Sequence, residues 1–394
     1  MARTLSRPPP PRRVALLIEA TRTYARGLVR GVGRYARERR GWSVDFTPHA
    51  PGDPPPGWLA GWPGHGILAR IEDRRTARAV LRTGLPAIDL RRAVPGLPLP
   101  AIGPDDGAVA RLAFEHLRDR GFRRFGVYGG PPAEHPSMDA RTEEFARLAR
   151  EGGFACGILR GRAGRPSGAP WDEEVARAAR WVRSLETPAG VMACNDDRGL
   201  LLLEACRRAG AAVPDDVAVV GAGNDDCLCD LAVPPLTSVD LDPERIGYEA
   251  ARLLDGMMSG GSRRPRPFQV PPAGVATRAS TDVLATEDPA VAQAVRFIRG
   301  RAGERLRVAD VLQHVHMSRG ALDPRMLRVL GRTAAGEIRR VRIERAKELL
   351  RTAGGPLKRI ASQAGFRYPE YMARAFRQAT GLTPTAFRRK ARRI

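Results

Sequence analysis

The chain has 394 residues with 43% hydrophobic content, enough to bury several cores, and length alone predicts two or three domains. Its formal charge is +23, and residues 290–394 carry 25 Lys and Arg against 7 Asp and Glu, so most of the excess cation lies in the last part of the chain and points to a polyanion such as nucleic acid. No apolar run reaches the length of a membrane span or of a secretory signal, and five cysteines make no disulfide framework for a chain this size; the expectation is a cytoplasmic protein with free thiols and no membrane partner.

From residue 13 short apolar runs alternate with amphipathic ones. VALLIEA comes first, then YARGLVRGVGRYARERR, then WSVDF, and later HGILARI, LPAIDL, RFGVYGG, GVMACN and VAVVGAG, each read as a strand followed by a helical segment. This alternation predicts an α/β architecture of parallel sheets covered by helices on both faces, long enough over residues 13–281 for two lobes. Pro and Gly cluster at 259–274, and residues 282–289 read as a linker. Beyond it the strand signal ends, and 290–394 is predicted to be all α.

The helical part contains an internal repeat. At an offset of fifty residues Leu322 falls on Met372, Met326 on Phe376 and Gly331 on Gly381, which predicts two helix-turn-helix units at about 306–331 and 356–381. In the second unit, steps of three and four put Met372, Phe376 and Ala379 on one helix face and Glu370, Arg374 and Arg377 on another, with Pro369 in the first turn and Gly381 just past the end. The second helix of such a unit lies in the major groove. Arg374 then suits guanine and Glu370 cytosine, whereas Lys358, Arg359, Arg367 and Arg377 suit phosphates. In the first unit Pro324 would be the sixth helical residue if Ser318 were the cap, at a cost of about 3 kcal/mol. A shorter helix capped by Asp323 and starting at Pro324 avoids that cost and is the cheaper of the two solutions. Either way the first unit is expected to read bases poorly, leaving Arg319 and Arg325 for phosphates.

In parallel-sheet proteins ligands collect at the carboxyl ends of strands. The polar groups expected there are Arg22 and Tyr24 after the first strand, Arg141 at a helix start, Asn195 and Asp196 after Gly190–Ala193, and Asn224 with Asp225 after VAVVGAG. Carboxylates, amides and an arginine converging between two lobes suit a polyhydroxylated ligand, because each hydroxyl both donates and accepts. The competing expectation is that the Asx residues only cap helices. Cys227 and Cys229 lack a second ligand pair, and His314 and His316 point different ways on a helix, so no metal or cofactor is expected.

The motifs IRRVRIERAKELL, PLKRIASQAGF, YMARAFRQATGLTP and FRR resemble the DNA-binding domain of the AraC family, with Pro324 standing where many members carry a base-contacting arginine. VMACNDDRGLLLLEACRRAGAAVPDDVAVVGAGND, VPPLTSV and ATRAST resemble the LacI/GalR type of periplasmic-binding-protein-like sensor. By position that resemblance implies sugar contacts for Arg141, Asn195 and Asp196; Gly223 departs from it, replacing a strand-end aspartate. The fusion of the two is the arrangement of the bacterial xylose operon regulators. It implies a pentose effector such as D-xylose, promoter DNA, a homodimer formed by the front domain, and RNA polymerase as a further partner. Two other functions stay open on the residues alone. One is a regulator whose sensor serves only for dimerisation, suggested by Gly223. The other is an enzyme using the pairs Asp105–Asp106, Asp196–Asp197 and Asp225–Asp226, which no nucleophile elbow, phosphate loop or metal cluster accompanies.

Overall fold

The computed structural model describes residues 11–39, 41–47, 52–162, 171–282, 286, 288–301, 303–352 and 355–392. Two six-stranded sheets form two lobes. The first has β1 (Arg12–Leu17), β2 (Trp42–Phe46), β3 (Gly66–Ala69), β4 (Ala87–Asp89), β5 (Ala101–Pro104) and, far along the chain, β11 (Pro267–Val270), in the order β11-β5-β4-β3-β1-β2. The second has β6 (Arg124–Gly129), β7 (Ala155–Arg160), β8 (Ala189–Ala193), β9 (Val217–Ala222), β10 (Thr237–Asp240) and β12 (Gly274–Ala276), in the order β12-β10-β9-β8-β6-β7. All pairings are parallel except β10 with β12. Central strands such as β8 and β9 are buried along their whole length, because helices cover both faces, which is why they read as unbroken apolar runs.

The first lobe carries α1 (Thr23–Arg39), α2 (Arg74–Arg82) and α8 (Pro243–Met258); the second carries α3 (Asp106–Arg118), α4 (Pro136–Glu151), α5 (Trp171–Arg183), α6 (Asp196–Ala209) and α7 (Asp226–Leu231). Each face of each sheet has its own apolar layer, with Leu28, Val32, Ile246 and Leu254 among those filling one and Phe114, Phe125 and Phe145 another. Helices α1 and α8 cross at backbone contact. A Cβ at Gly31 would lie 1.9 Å from the Glu244 carbonyl oxygen, and one at Gly247 would lie 2.1 Å from that of Leu28, so both positions require glycine. The chain passes between the lobes three times: from β5 to α3, from β10 to α8, and from β11 to β12.

The regular alternation predicted from sequence is broken in places. WSVDF leads to β3 with only a 3-10 turn at Gly57–Leu59 among the described residues, and LPAIDL runs into β5 with no helix between. The Pro/Gly-rich stretch supplies β11 and starts β12, sheet-edge strands where proline is tolerated.

Helix α9 (Pro289–Gly300), capped by Asp288, begins the helical part. Its Val291, Val295 and Ile298 join Val311 of α10 (Val308–His314) and Leu322 and Met326 of α11 (Arg319–Leu330) in one core. Helix α12 (Ala334–Thr352) leads to a second core, where Ile360 of α13 (Leu357–Gln363), Phe366, and Met372 and Phe376 of α14 (Pro369–Thr380) meet Ile343 and Leu350, with Phe387 of α15 (Pro384–Arg392) against them. The fifty-residue repeat is structural. Gly331 and Gly381 both end their helices in the left-handed region, at φ 68° and 72°, each donating its N–H to the carbonyl four residues back at 2.8 Å.

Helix α11 decides between the two solutions, in favour of the longer helix. Ser318 caps it, accepting the Ala321 N–H, and Pro324 sits inside the helix on its exposed side. Asp323 is used elsewhere: its carboxylate accepts from Arg319 Nε at 3.0 Å and from the Ala334 N–H at 3.0 Å, tying α11 to the start of α12. The residue spacing of Leu322, Met326 and Leu330 into the core favours the longer helix despite the proline.

Candidate effector cleft and nucleic-acid interface

A cleft of about 1160 Å³ lies between the lobes at the carboxyl ends of their strands. That is more than a single small ligand fills. Of the residues predicted from sequence, Arg22, Tyr24, Arg141, Asn195, Asp196 and Asp225 line it. Asn224 does not. It adopts φ 51°, its Nδ2 faces Asp240 at 3.4 Å, and its Oδ1 accepts from Arg278 at 3.1 Å.

The geometry of each is specific. Arg22 reaches across the lobes to Asp197 at 2.5 Å, and Tyr24 packs against both lobes' cores, with burial raising its phenol pKa. Arg141 is the sixth residue of α4 rather than a helix-start residue; it is buried, donating Nε to Asp106 at 2.8 Å and Nη1 to the Cys194 carbonyl at 2.9 Å. Asn195 and Asp225 cap α6 and α7 while also lining the cleft, so capping and lining are not exclusive. Asp196 is buried at the end of the second sheet. It accepts from Ser238 Oγ at 2.6 Å and from the Asp225 N–H at 2.8 Å, and burial raises its pKa.

Gly223 has φ 142°, and a Cβ there would lie 2.7 Å from Asp196 Oδ2. The carboxylate of Asp196 already fills the space beside that strand end.

Sequence reasoning missed most of the cleft. Glu19, Arg70, Glu72, Arg91, Arg92, His135, Trp171, Glu174, Asp197 and Arg198 line it too. Glu19 accepts from Arg70 and from Thr21 Oγ1 at 2.7 Å; Arg91 pairs with Glu72 at 3.1 Å, and Arg92 with Asp106 at 2.8 Å. His135 accepts the Ser137 N–H on Nδ1, which places its proton on Nε2. Burial, reinforced by Arg91, Arg141, Arg70 and Arg92, pushes its pKa down to about 3. The result is a wall of guanidinium donors alternating with carboxylate acceptors. Glu19, Arg70 and Arg91–Arg92 follow directly on recognisable strands, so the strand-end rule could have found them.

In the second helix-turn-helix unit Met372, Ala375 and Phe376 face the core, while Ala379 is exposed, which corrects the predicted apolar face by one position. Lys358, Arg359, Arg367, Glu370, Arg374 and Arg377 are all exposed, and among the described residues none of them forms an ion pair. Tyr368 and Tyr371, unanticipated from sequence, are exposed beside them, with Arg367 over one ring and Arg374 over the other at 5.2 and 5.7 Å. In the first unit Arg319 pairs with Asp323 at 3.0 Å and Arg325 lies 3.6 Å from Asp288.

Comparison with known proteins accounts for both parts. A family profile described as a periplasmic binding protein-like domain matches residues 114–281, and one described as a helix-turn-helix domain matches residues 311–390. The xylose operon regulatory protein of Haemophilus influenzae is 30% identical over 386 residues, covering 95% of this chain and 98% of that one; its Escherichia coli K12 counterpart is 29% identical over 388 residues, with 95% and 96% covered. A solved structure described as the xylose-binding transcription activator xylR superposes with a TM-score of 0.61 at 27% identity over 95% of this chain and 97% of that chain. With an interlobe cleft in front and two helix-turn-helix units behind, the chain belongs to the family of xylose operon regulatory proteins, DNA-binding regulators of transcription.

Proposed function

We propose that the protein is a homodimeric, cytoplasmic transcription regulator that binds a pentose, D-xylose, in the interlobe cleft and promoter DNA through its C-terminal helices. Residues 13–281 form the sensor, 282–289 the joining segment and 290–394 the DNA-binding part. The observation that carries this reading is the cleft whose walls alternate donors and acceptors, set at the strand ends of two lobes that can close on a small polyol. Arg22, Tyr24, Arg141, Asn195, Asp196 and Asp225 are the proposed effector contacts. Asn224 acts through Arg278 and Asp240 rather than by touching the sugar.

For DNA the second unit reads bases with Arg374 and Glu370 and grips phosphates with Lys358, Arg359, Arg367 and Arg377. Arg319 and Arg325 of the first unit add phosphate contacts after exchanging their present carboxylate partners. RNA polymerase is the further partner of an activator of this kind. Filling of the Gly223 strand end by Asp196 speaks against a sensor that serves dimerisation alone.

Calorimetric titration of the full chain with D-xylose, L-arabinose and D-ribose tests the effector, and silence toward all three would refute it. A gel shift on the region upstream of its own gene, with and without xylose, tests the output. Unaltered migration in dilute buffer would remove the DNA reading.

A further inference from the structure

We propose that helix α3 carries the state of the cleft to the first helix-turn-helix unit, with Asp106 as the positioning residue at one end and Arg332 with Arg123 as the couplers at the other. The inference rests on the cleft being the effector site and goes on to say how its occupancy reaches the DNA-binding part.

Asp106 is the first residue of α3 and stands where the chain crosses from one lobe to the other. Its buried carboxylate takes one guanidinium from each lobe: Oδ2 accepts from Arg92 at 2.8 Å, and Oδ1 accepts from Arg141 at 2.8 Å. Both arginines line the cleft. A ligand that draws the lobes together therefore changes the angle between the two groups that hold the start of α3.

The helix is a stiff transmitter. Val109, Ala110, Ala113, Phe114 and Leu117 bury its inner face in the second lobe, and thirteen residues span about 20 Å. At its far end the exposed carbonyls form the negative pole of the helix. Arg332 donates Nη2 to the Asp119 carbonyl at 3.0 Å. Arg123 donates Nη1 to the Phe122 carbonyl at 2.9 Å and Nη2 to the Val329 carbonyl in α11 at 3.0 Å. Arg332 is itself fixed on the helical side, with Nε on Glu337 at 2.6 Å and Nη1 on the Leu330 carbonyl at 3.3 Å. The Glu337 side chain is fully buried and also takes Arg340 at 2.7 Å. The end of α11 and the turn into α12 thus ride on α3, and a tilt of α3 reorients the first unit on DNA.

Binding coupling is reciprocal, so it can be tested from either ligand. The full chain, Arg123→Ala and Arg332→Lys are compared; lysine keeps a charge for Glu337 but cannot span Glu337 and two carbonyls at once. The measured quantity is the ratio of Kd values for the own-promoter fragment with and without saturating D-xylose. We expect it to move at least about fivefold toward one in each variant, within the usual range of couplings. Sugar affinity without DNA and DNA affinity without sugar should stay within about threefold of the parent. Xylose should also alter hydrogen exchange over residues 319–330 in the parent and not in the variants.

An unchanged ratio with an unchanged exchange response in both variants overturns the proposal. Arg123 is exposed, so its variant carries the test if Arg332→Lys is poorly folded. Should the parent fail to bind xylose in calorimetry, the effector reading falls separately. The promoter fragment must then still alter exchange over residues 88–92 and 136–141 in the parent, and no change there overturns the coupling as well.

Discussion

Replacing Gly223 by aspartate, the residue the LacI/GalR resemblance leads one to expect there, should be strongly destabilising. The position has φ 142°, a conformation that costs a side chain about 1–3 kcal/mol. The new Cβ would meet Asp196 Oδ2 at 2.7 Å. Moving the Asp196 carboxylate aside strands the Ser238 hydroxyl and the Asp225 N–H, at about 1–3 kcal/mol for each donor left unpaired. The sum is roughly 3–9 kcal/mol, a large share of a domain's stability of about 5–15 kcal/mol. Combining Gly223→Asp with Asp196→Gly clears the space and returns a carboxylate to the same strand end, leaving mainly the backbone strain. The double variant should therefore cost at least about 1 kcal/mol less than the two single variants added together. Urea unfolding of the four full-length proteins measures the cycle, and calorimetry with xylose shows whether the relocated carboxylate still serves the cleft. Strict additivity, or a Gly223→Asp protein as stable as the parent, would refute the reasoning.

Arg374→Ala should relax sequence preference and weaken specific binding by about 1–3 kcal/mol, whereas Arg377→Ala should weaken all duplexes alike and lower the salt slope by about one; competition gel shifts over a salt series separate them. Acid should destabilise the protein in two windows. His135 has its pKa depressed to about 3, so the stability it contributes is complete above the ordinary histidine value and is lost as pH falls from about 6.5 toward 3. At Glu337 burial would raise the pKa, but hydrogen bonding and charge from Arg340, Arg332 and Arg299 bring it down to about 2, so its share is lost between about 4.5 and 2, on the order of 3 kcal/mol. Burial holds the His116 pKa well below the usual value too, so it adds to the same window; thermal melts from pH 7.5 downward should show a first loss that is smaller in His135→Asn than in the parent, and a parent flat between pH 6.5 and 4.5 contradicts this. Pro324→Ala should stabilise α11 by about 2 kcal/mol, because a donor for the Gly320 carbonyl is restored while some unfolded-state stiffness is given up. An unchanged or lower melting temperature would count against it.

The two-lobed α/β architecture was legible because fully buried parallel strands write themselves as apolar runs, and the helix-turn-helix repeat because Leu322, Met326 and Gly331 recur as Met372, Phe376 and Gly381. Residues that cap and line at once, such as Asn195 and Asp225, could be named from position alone. Arg70 and Arg92 stand at strand ends and were open to the same rule, but that they and Arg141 share one wall was not, since the three meet only after distant segments fold. Alternatives of similar local cost were also hard to decide: the choice of Ser318 over Asp323 as the cap of α11 depends on the Asp323 contact with Ala334 and on packing against α9. Edge strands drawn from proline-rich sequence, β11 above all, carry no apolar alternation to betray them.

The threefold weaving of the chain between the lobes bears on how the protein is made. The first lobe has its first five strands by residue 104, yet its covering helix α8 and its edge strand β11 arrive only with residues 243–270. At about 5–20 residues per second the ribosome needs on the order of ten to thirty seconds to deliver them. During that interval the nascent half-lobe exposes both an open sheet margin at β5 and the apolar flank of α1, which makes it a natural client for chaperones and a place where slowed translation or truncation would leave an aggregation-prone intermediate.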